Sequence, residues 1–339
     1  MQPPLMLTWE LTLRCNAKCI YCGSSAGAQR YGELTDQECF QLVDQIADLG
    51  VRFVILLGGE PFLRSSCLDI AAKLVERGIM ISVITNGLLL DSEKALRLAA
   101  LRPTGVAISI DGTKEVHDSM SGLRCFDKAV NGLRLLQQND IISGIITTII
   151  NYNNTLTNLE ALSEFVQREN LNAWKIQIGH PSGRLKKEDC LDAEGIYNLT
   201  KWVAGKKKEL PFLSIGDEMG YCSSLEHELR GPDYCWQGCT AGTLHLGICA
   251  NGSVKGCLAM SDEFSEGSIR ERSLSEIWQS KGAFKYNREF DVTMLTGDCH
   301  NCASGNICKG GCRTFNYGYS GELYNYPYCS KRYEEQKRS

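Results

Sequence analysis

Three cysteines, Cys15, Cys19 and Cys22, fall in the spacing Cys-x3-Cys-x2-Cys near the amino terminus. Three thiolates on one short loop can hold three corners of a [4Fe–4S] cube. The fourth iron then keeps an open position, as a catalytic zinc does with three protein ligands. The bland alternatives are zinc with a remote fourth ligand, or buried structural thiols. The loop follows an apolar run at 6–13, so it stands at the carboxyl end of a first strand, where parallel α/β folds build their sites. Gly58-Gly59-Glu60-Pro61 follows a second such run on the same edge. Paired glycines let backbone approach a ligand closely, and Glu60 offers a carboxylate to an ammonium group. Thr85-Asn86-Gly87 and Ser109-Ile110-Asp111-Gly112, with His117-Asp118 beyond, close two further runs.

The elements that must position these residues are legible from periodicity. Strands are expected over 6–13, 52–57, 80–85, 105–110, 143–150 and 173–178, with amphipathic helices over 35–49, 65–77, 91–100, 126–138 and 155–169. Six such units make a parallel sheet with helices outside, either an open wound sheet or part of a (β/α) barrel. A further helix over 195–208 ends in three lysines. From Tyr221 onward 10 cysteines crowd the chain. There, 244–249 and 254–258 flank Asn251-Gly252 as a β-hairpin, and Ser273-Leu274-Ser275-Glu276 is a capping box opening a helix to about 284. The rest looks too irregular to stand without cross-links, and metal would supply them.

The chain has 339 residues, 43% of them hydrophobic, which suits two domains. A net charge of −4 gives no argument for nucleic acid or an anionic membrane surface. No apolar run approaches the roughly 20 residues of a membrane-spanning helix, and no signal peptide is visible. Seventeen cysteines is an odd number in a long chain rich in amphipathic segments, which argues for a cytoplasmic, metal-binding protein over a secreted disulfide scaffold.

The cysteine loop, with Tyr21 just before its last cysteine, resembles the cluster motif of the radical SAM superfamily, and Gly58-Gly59-Glu60 matches that superfamily's Gly-Gly-Glu segment. Cys239, Cys257, Cys299-x2-Cys302-x5-Cys308-x3-Cys312 and Cys329 match the SPASM domain appended to many of its members. The resemblance covers nearly the whole chain. It implies an α/β fold: a partial (β/α)6 TIM-type barrel over 1–210, a bridging region over 211–234, and a cysteine-rich iron–sulfur SPASM domain over 235–339. It also implies three [4Fe–4S] clusters, one binding S-adenosylmethionine and two auxiliary. Cys15, Cys19 and Cys22 would hold the first. Cys239, Cys257 and Cys312 would hold the second, completed by Cys235, replaced by Cys222 or Cys249, or left with an open iron. Cys299, Cys302, Cys308 and Cys329 would hold the third.

By the same resemblance Gly58, Gly59 and Glu60 meet the methionyl amine, Ser109 the ribose and Ile178 the adenine. Tyr21 and Asn86 stand at the same pocket, and Asp111 either supports it from behind or merely caps a turn. Many relatives carry an Arg shortly after the His-Asp pair. Ser121 stands near that place here, and Arg124 is the nearest substitute. The activity implied is reductive cleavage of S-adenosylmethionine to a 5′-deoxyadenosyl radical that abstracts hydrogen from substrate carbon. The expected substrate is a ribosomal peptide or protein, which would be cross-linked, oxidised or epimerised; a sugar or aminocyclitol is the small-molecule alternative. Expected partners are an electron donor such as a flavodoxin or ferredoxin and a separate peptide-recognition protein.

Six thiols remain. Cys39, Cys67, Cys125 and Cys190 read as small core residues. Cys222 and Cys249 are candidate hydrogen donors to a substrate radical, although a structural thiol is the commoner case. Asp217, Glu218 and Asp233, between the domains, are candidate acid/base groups against a reading as solvated surface acids.

Overall fold

A computed structural model describes residues 2–216 and 218–338. Its spine is one sheet of ten strands in the order β10-β9-β8-β1-β2-β3-β4-β5-β6-β7. The strands are β1 (Met6–Glu10), β2 (Phe53–Leu57), β3 (Met80–Thr85), β4 (Gly105–Ser109), β5 (Ser143–Ile149), β6 (Ala173–Ile178), β7 (Leu213–Ile215), β8 (His245–Ile248), β9 (Ser253–Lys255) and β10 (Gly267–Ser268). Strands β1 to β7 pair in parallel throughout. Between them run α1 (Asp36–Leu49), α2 (Cys67–Glu76), α3 (Ser92–Leu101), α4 (Lys114–Ser121), α5 (Phe126–Gln138) and α6 (Leu156–Arg168), and α7 (Ala193–Lys206) follows β6. This is the partial barrel of βα units that the family resemblance implied and that periodicity left open against a wound sheet.

Helix α1 shows why the local sequence suffices. Thr35 accepts from the Glu38 amide and Glu38 reaches back to Thr35, satisfying donors the first turn leaves open. Gly50 then ends the helix in the left-handed conformation. The stripe Cys39, Leu42, Val43, Ile46 and Leu49 is buried.

The strands alternate in a way that defines the cleft. In β2 and β4 the buried residues, Val54 and Leu56, Val106 and Ile108, face the helices. Their neighbours are only half-buried. A closed barrel of eight strands fills its interior with packed side chains. Here the inner rows of β2 and β4 stay accessible, so the sheet leaves an open cleft along them, while β1 and β5 are buried on both faces. The curl is nevertheless real: Lys175 on β6 bears electrostatically on His245 of β8, although six strand steps separate them.

Four strands, β7 to β10, lie outside the six expected of the βα units. β7 continues the parallel sheet beyond β6, so the stretch after 210 opens as part of the barrel sheet. β8, the first arm of the expected hairpin, pairs in parallel with β1, and β9 returns antiparallel. The cysteine-rich region is therefore joined to the barrel by backbone hydrogen bonds. A seam of that kind leaves no trace in composition. The helix opened by the Ser273–Glu276 capping box is present but short, Leu274–Gln279.

Candidate functional site

The cysteine loop leaves β1 and is fixed from three sides. Gly59 N donates to Thr12 O and Glu60 N to Arg14 O, both at 2.8 Å, which stitches the Gly-Gly-Glu turn to the start of the loop. A Cβ on Gly58 would lie 2.3 Å from Thr12 O, and one on Gly59 2.4 Å from Arg14 O. The side-chain positions of these glycines are thus filled by the loop's own backbone, a close approach that the sequence did not announce. Gly59→Ala should force that backbone aside at a cost of about 1–3 kcal/mol. Both a lowered melting temperature and poorer iron retention are expected, and an unchanged value of both would contradict the stitch.

Glu60 is fully buried. Its carboxylate accepts from Phe62 N (3.2 Å), Thr85 Oγ1 (2.8 Å) and Asn86 N (2.9 Å). Burial pushes its pKa up to about 7 against the pull of those donors. Asn86 turns its side chain to Asn16 of the cysteine loop, Nδ2 to Oδ1 at 2.7 Å. On the far side Tyr21 OH donates to Asp111 Oδ2 at 2.7 Å, while Thr148 N donates to Asp111 Oδ1. Asp111 is fully buried, and His117 stands 3.6 Å from it. Burial opposes charge on His117, but Asp111 and Cys125 outweigh it and raise its pKa to about 9. Asp111 therefore pins the loop to the ends of β4 and β5 instead of capping a turn. Ser109 lies half-buried on the inner row of β4.

The three thiols are half-exposed and lie within mutual electrostatic reach. Burial, then Asp111, Cys22 and Cys15, push Cys19 up to about 12. Burial also pushes Cys15 up, so these two thiols resist ionisation until a cationic group binds, and bound metal is what deprotonates thiols. Among the described residues no group of three His, Cys, Asp or Glu side chains is arranged to hold a single metal ion. The donor chemistry fits a cluster.

In the carboxyl-terminal region Cys299, Cys302, Cys308 and Cys329 line one cavity, beside Tyr221 and Tyr326. Cys312 is close enough to Cys239 to raise its pKa after burial has done so, and Cys239 and Cys257 both bear on Tyr286. The sequence thus separated two thiol sets that the fold also gathers separately. Cys235 is exposed, and the thiol it acts on is Cys222, which itself hydrogen-bonds to Cys308 of the other set.

Other candidates are scattered. Arg124 is exposed, on the loop after α4; the guanidinium that reaches the cysteine loop is Arg184. Ile178 is buried in the row of Trp174 and Ile176, and its amide donates to Glu218 Oε1 at 2.6 Å. Glu218 therefore ties the end of β6 to the later region. Asp233 is exposed, and Asp217 lies outside the described residues. Cys249 is fully buried among Lys255, Glu10, Arg30 and Asp262. Cys39, Cys67, Cys125 and Cys190 are buried, as small core residues should be. Sequence reasoning missed Arg184, for which no spacing signal existed. It also passed over Lys175 and Gln177, which alternation in Ala173–Ile178 places on the inner row.

The fold and these thiol sets define an iron–sulfur enzyme of the radical SAM class. The chain belongs to the radical SAM superfamily: the model of that superfamily matches residues 9–166, and an iron–sulfur cluster-binding (SPASM) domain matches 239–303. It is 30% identical to the mycofactocin maturase MftC of Mycolicibacterium smegmatis, across 92% of this chain and 79% of that one. It is 28% identical to an AdoMet-dependent heme synthase of Methanosarcina barkeri, across 97% of both. Among solved structures it shares its fold with Streptococcus suis SuiB bound to S-adenosylmethionine (TM-score 0.77, 18% identity, 97% of this chain and 77% of that one). It shares it also with anSMEcpe bound to AdoMet (TM-score 0.74, 22% identity, 98% and 96%). No helix of the described residues is long and apolar enough to cross a membrane.

Proposed function

We propose that this protein reductively cleaves S-adenosylmethionine and uses the product to abstract hydrogen from a carbon of a ribosomally made peptide. The observation that carries the reading is the cysteine loop itself. Its three thiols lie within mutual electrostatic reach at the strand ends, and the buried carboxylate of Glu60 bears on Cys15. When bound, a [4Fe–4S] cluster on Cys15, Cys19 and Cys22 supplies one electron to S-adenosylmethionine, and the 5′-deoxyadenosyl radical so formed takes hydrogen from substrate.

This chain's residues bind and orient. Glu60 has one acceptor position left after its three donors and offers it to the methionyl ammonium. Ser109 presents a hydroxyl on the inner row for the ribose. Asp111 and Tyr21 hold the loop against movement. Two auxiliary clusters fit Cys239, Cys257 and Cys312 with Cys235 or Cys222, and Cys299, Cys302, Cys308 and Cys329. A peptide substrate is supported by the relation to a mycofactocin maturase. An electron donor of flavodoxin or ferredoxin type and a peptide-recognition partner belong to the same proposal.

A second reading, a small-molecule substrate, is favoured by the 28% relative named for heme synthesis, since the two chains cover 97% of each other. The test is anaerobic. Iron and sulfide are reconstituted, reductant and S-adenosylmethionine are added, and 5′-deoxyadenosine is measured alone, with candidate precursor peptides, and with a haem precursor. Stimulation by a peptide supports the first reading and stimulation by the haem precursor the second. A fully loaded protein that forms no 5′-deoxyadenosine under any condition overturns both.

A further inference from the structure

The turn after β6, 179–186, folds across the barrel mouth onto the cysteine loop and grips it by its carbonyl groups. Arg184 N donates to Cys22 O at 3.0 Å, Arg184 Nε to Cys19 O at 2.8 Å and Arg184 Nη1 to Ala26 O at 2.8 Å. Ser182 Oγ donates to Gly23 O at 3.0 Å. Gly183 makes the approach feasible. Its φ is +58°, and a Cβ there would stand 2.4 Å from the carbonyl oxygens of both Cys22 and Gly23. One planar guanidinium therefore spans two carbonyls that lie on either side of Cys22 in sequence, a geometry suited to a rigid fork of donors and not to an ammonium.

The charge on Arg184 is not spent on a carboxylate: among the described residues no Asp or Glu oxygen lies within 4.0 Å of its nitrogens. Its charge bears instead on the Cys15 thiol. Adding an electron to a cluster adds negative charge, and a fixed positive charge beside it stabilises the reduced form. Net charge and hydrogen bonding around the sulfurs are levers by which a protein sets such a potential.

From this geometry we infer that Arg184 is a positioning residue of the cysteine loop and that its charge raises the reduction potential of the cluster held there. The inference rests on the reading of Cys15, Cys19 and Cys22 as cluster ligands. It goes beyond that reading by assigning a residue outside every motif, 165 positions from Cys19, to the control of electron entry.

The full-length chain is compared with Arg184→Lys and Arg184→Met after anaerobic reconstitution. The midpoint potential is read from the component of the reduced-cluster electron paramagnetic resonance signal that changes when S-adenosylmethionine is added. The rate of iron loss to a chelator is measured separately. Arg184→Met is expected to move that potential to more negative values. Arg184→Lys, which keeps the charge, should hold it near the wild-type value. Both variants lose the two-carbonyl fork and should release iron about tenfold faster. Wild-type potential and wild-type iron loss in both variants would overturn the inference. An equal negative shift in both would overturn the role of the charge and leave the clamp. If Arg184→Met does not load iron, iron loss from Arg184→Lys decides the clamp and its potential decides the charge. A wild-type protein whose signal ignores S-adenosylmethionine would instead overturn the proposed function, while the iron-loss rates still report on the clamp.

Discussion

Replacing Cys19 by Ala is expected to abolish 5′-deoxyadenosine formation and to lower bound iron by one cluster, about four atoms per chain. The argument is positional. Cys19 is central in its loop, and its thiol feels Asp111, Cys22 and Cys15 but fills no core position. The hydrogen bond that Arg184 makes at this residue goes to the Cys19 carbonyl, which an alanine keeps. Thermal unfolding of the metal-free protein should therefore stay close to wild type while activity disappears. The matched control is Cys67→Ala, which removes a buried thiol at the start of α2. That change should lower the melting temperature and leave cleavage of S-adenosylmethionine intact. Residual product from Cys19→Ala, or loss of product in the control alone, would place the reductive centre elsewhere.

The second large effect concerns Glu60 and pH. Its carboxyl is raised to about 7 by burial, so in the ligand-free protein it is largely protonated below neutrality. Only the ionised form attracts an ammonium. Each pH unit below about 7 should therefore weaken binding of S-adenosylmethionine roughly tenfold, with a plateau above. The sign for stability runs the other way. A carboxyl whose folded pKa exceeds its unfolded value stabilises the fold when protonated, below the unfolded value, and loses that contribution as pH rises towards 7. Glu60→Gln should remove the pH dependence of binding between about 5 and 7 and weaken binding above it. It should also cost about 1–3 kcal/mol of stability, since an amide nitrogen then faces the Thr85 hydroxyl or the Asn86 amide. Equilibrium binding followed by calorimetry across pH decides this: a flat profile for the wild type would show that Glu60 does not hold the charge of the ligand.

How much was legible in the sequence follows from the range of the interactions involved. Cys15, Cys19 and Cys22 lie within one loop, so spacing alone states their chemistry. Helix α1 carries its cap, its apolar stripe and its terminating glycine in one stretch, and its bounds follow from residues a few positions apart. The six βα units were readable for the same reason, because each strand and helix announces its period locally. The carboxyl-terminal thiols could be sorted into two sets because their gaps match the SPASM pattern, and it is that resemblance that assigns each thiol to its set.

Tertiary structure decided what depends on distant partners. Asp111 looked like a turn residue, yet it receives Tyr21 across 90 positions. Gly58 and Gly59 gave no sign of their neighbour, yet the Thr12–Arg14 backbone fills their side-chain positions. Edge strand β7 draws its identity from its neighbour β6, since three residues carry too little periodicity to declare themselves, and only the fold pairs β8, the first arm of the expected hairpin, with β1. Arg184 is the clearest case. A single arginine in a polar turn has no sequence signal, and only the folding of that turn over the barrel mouth brings its guanidinium to the cysteine loop. The sequence by itself determined which atoms can hold a cluster. The fold determined what holds those atoms in place, because positioning is a property of contacts between segments and not of any one segment.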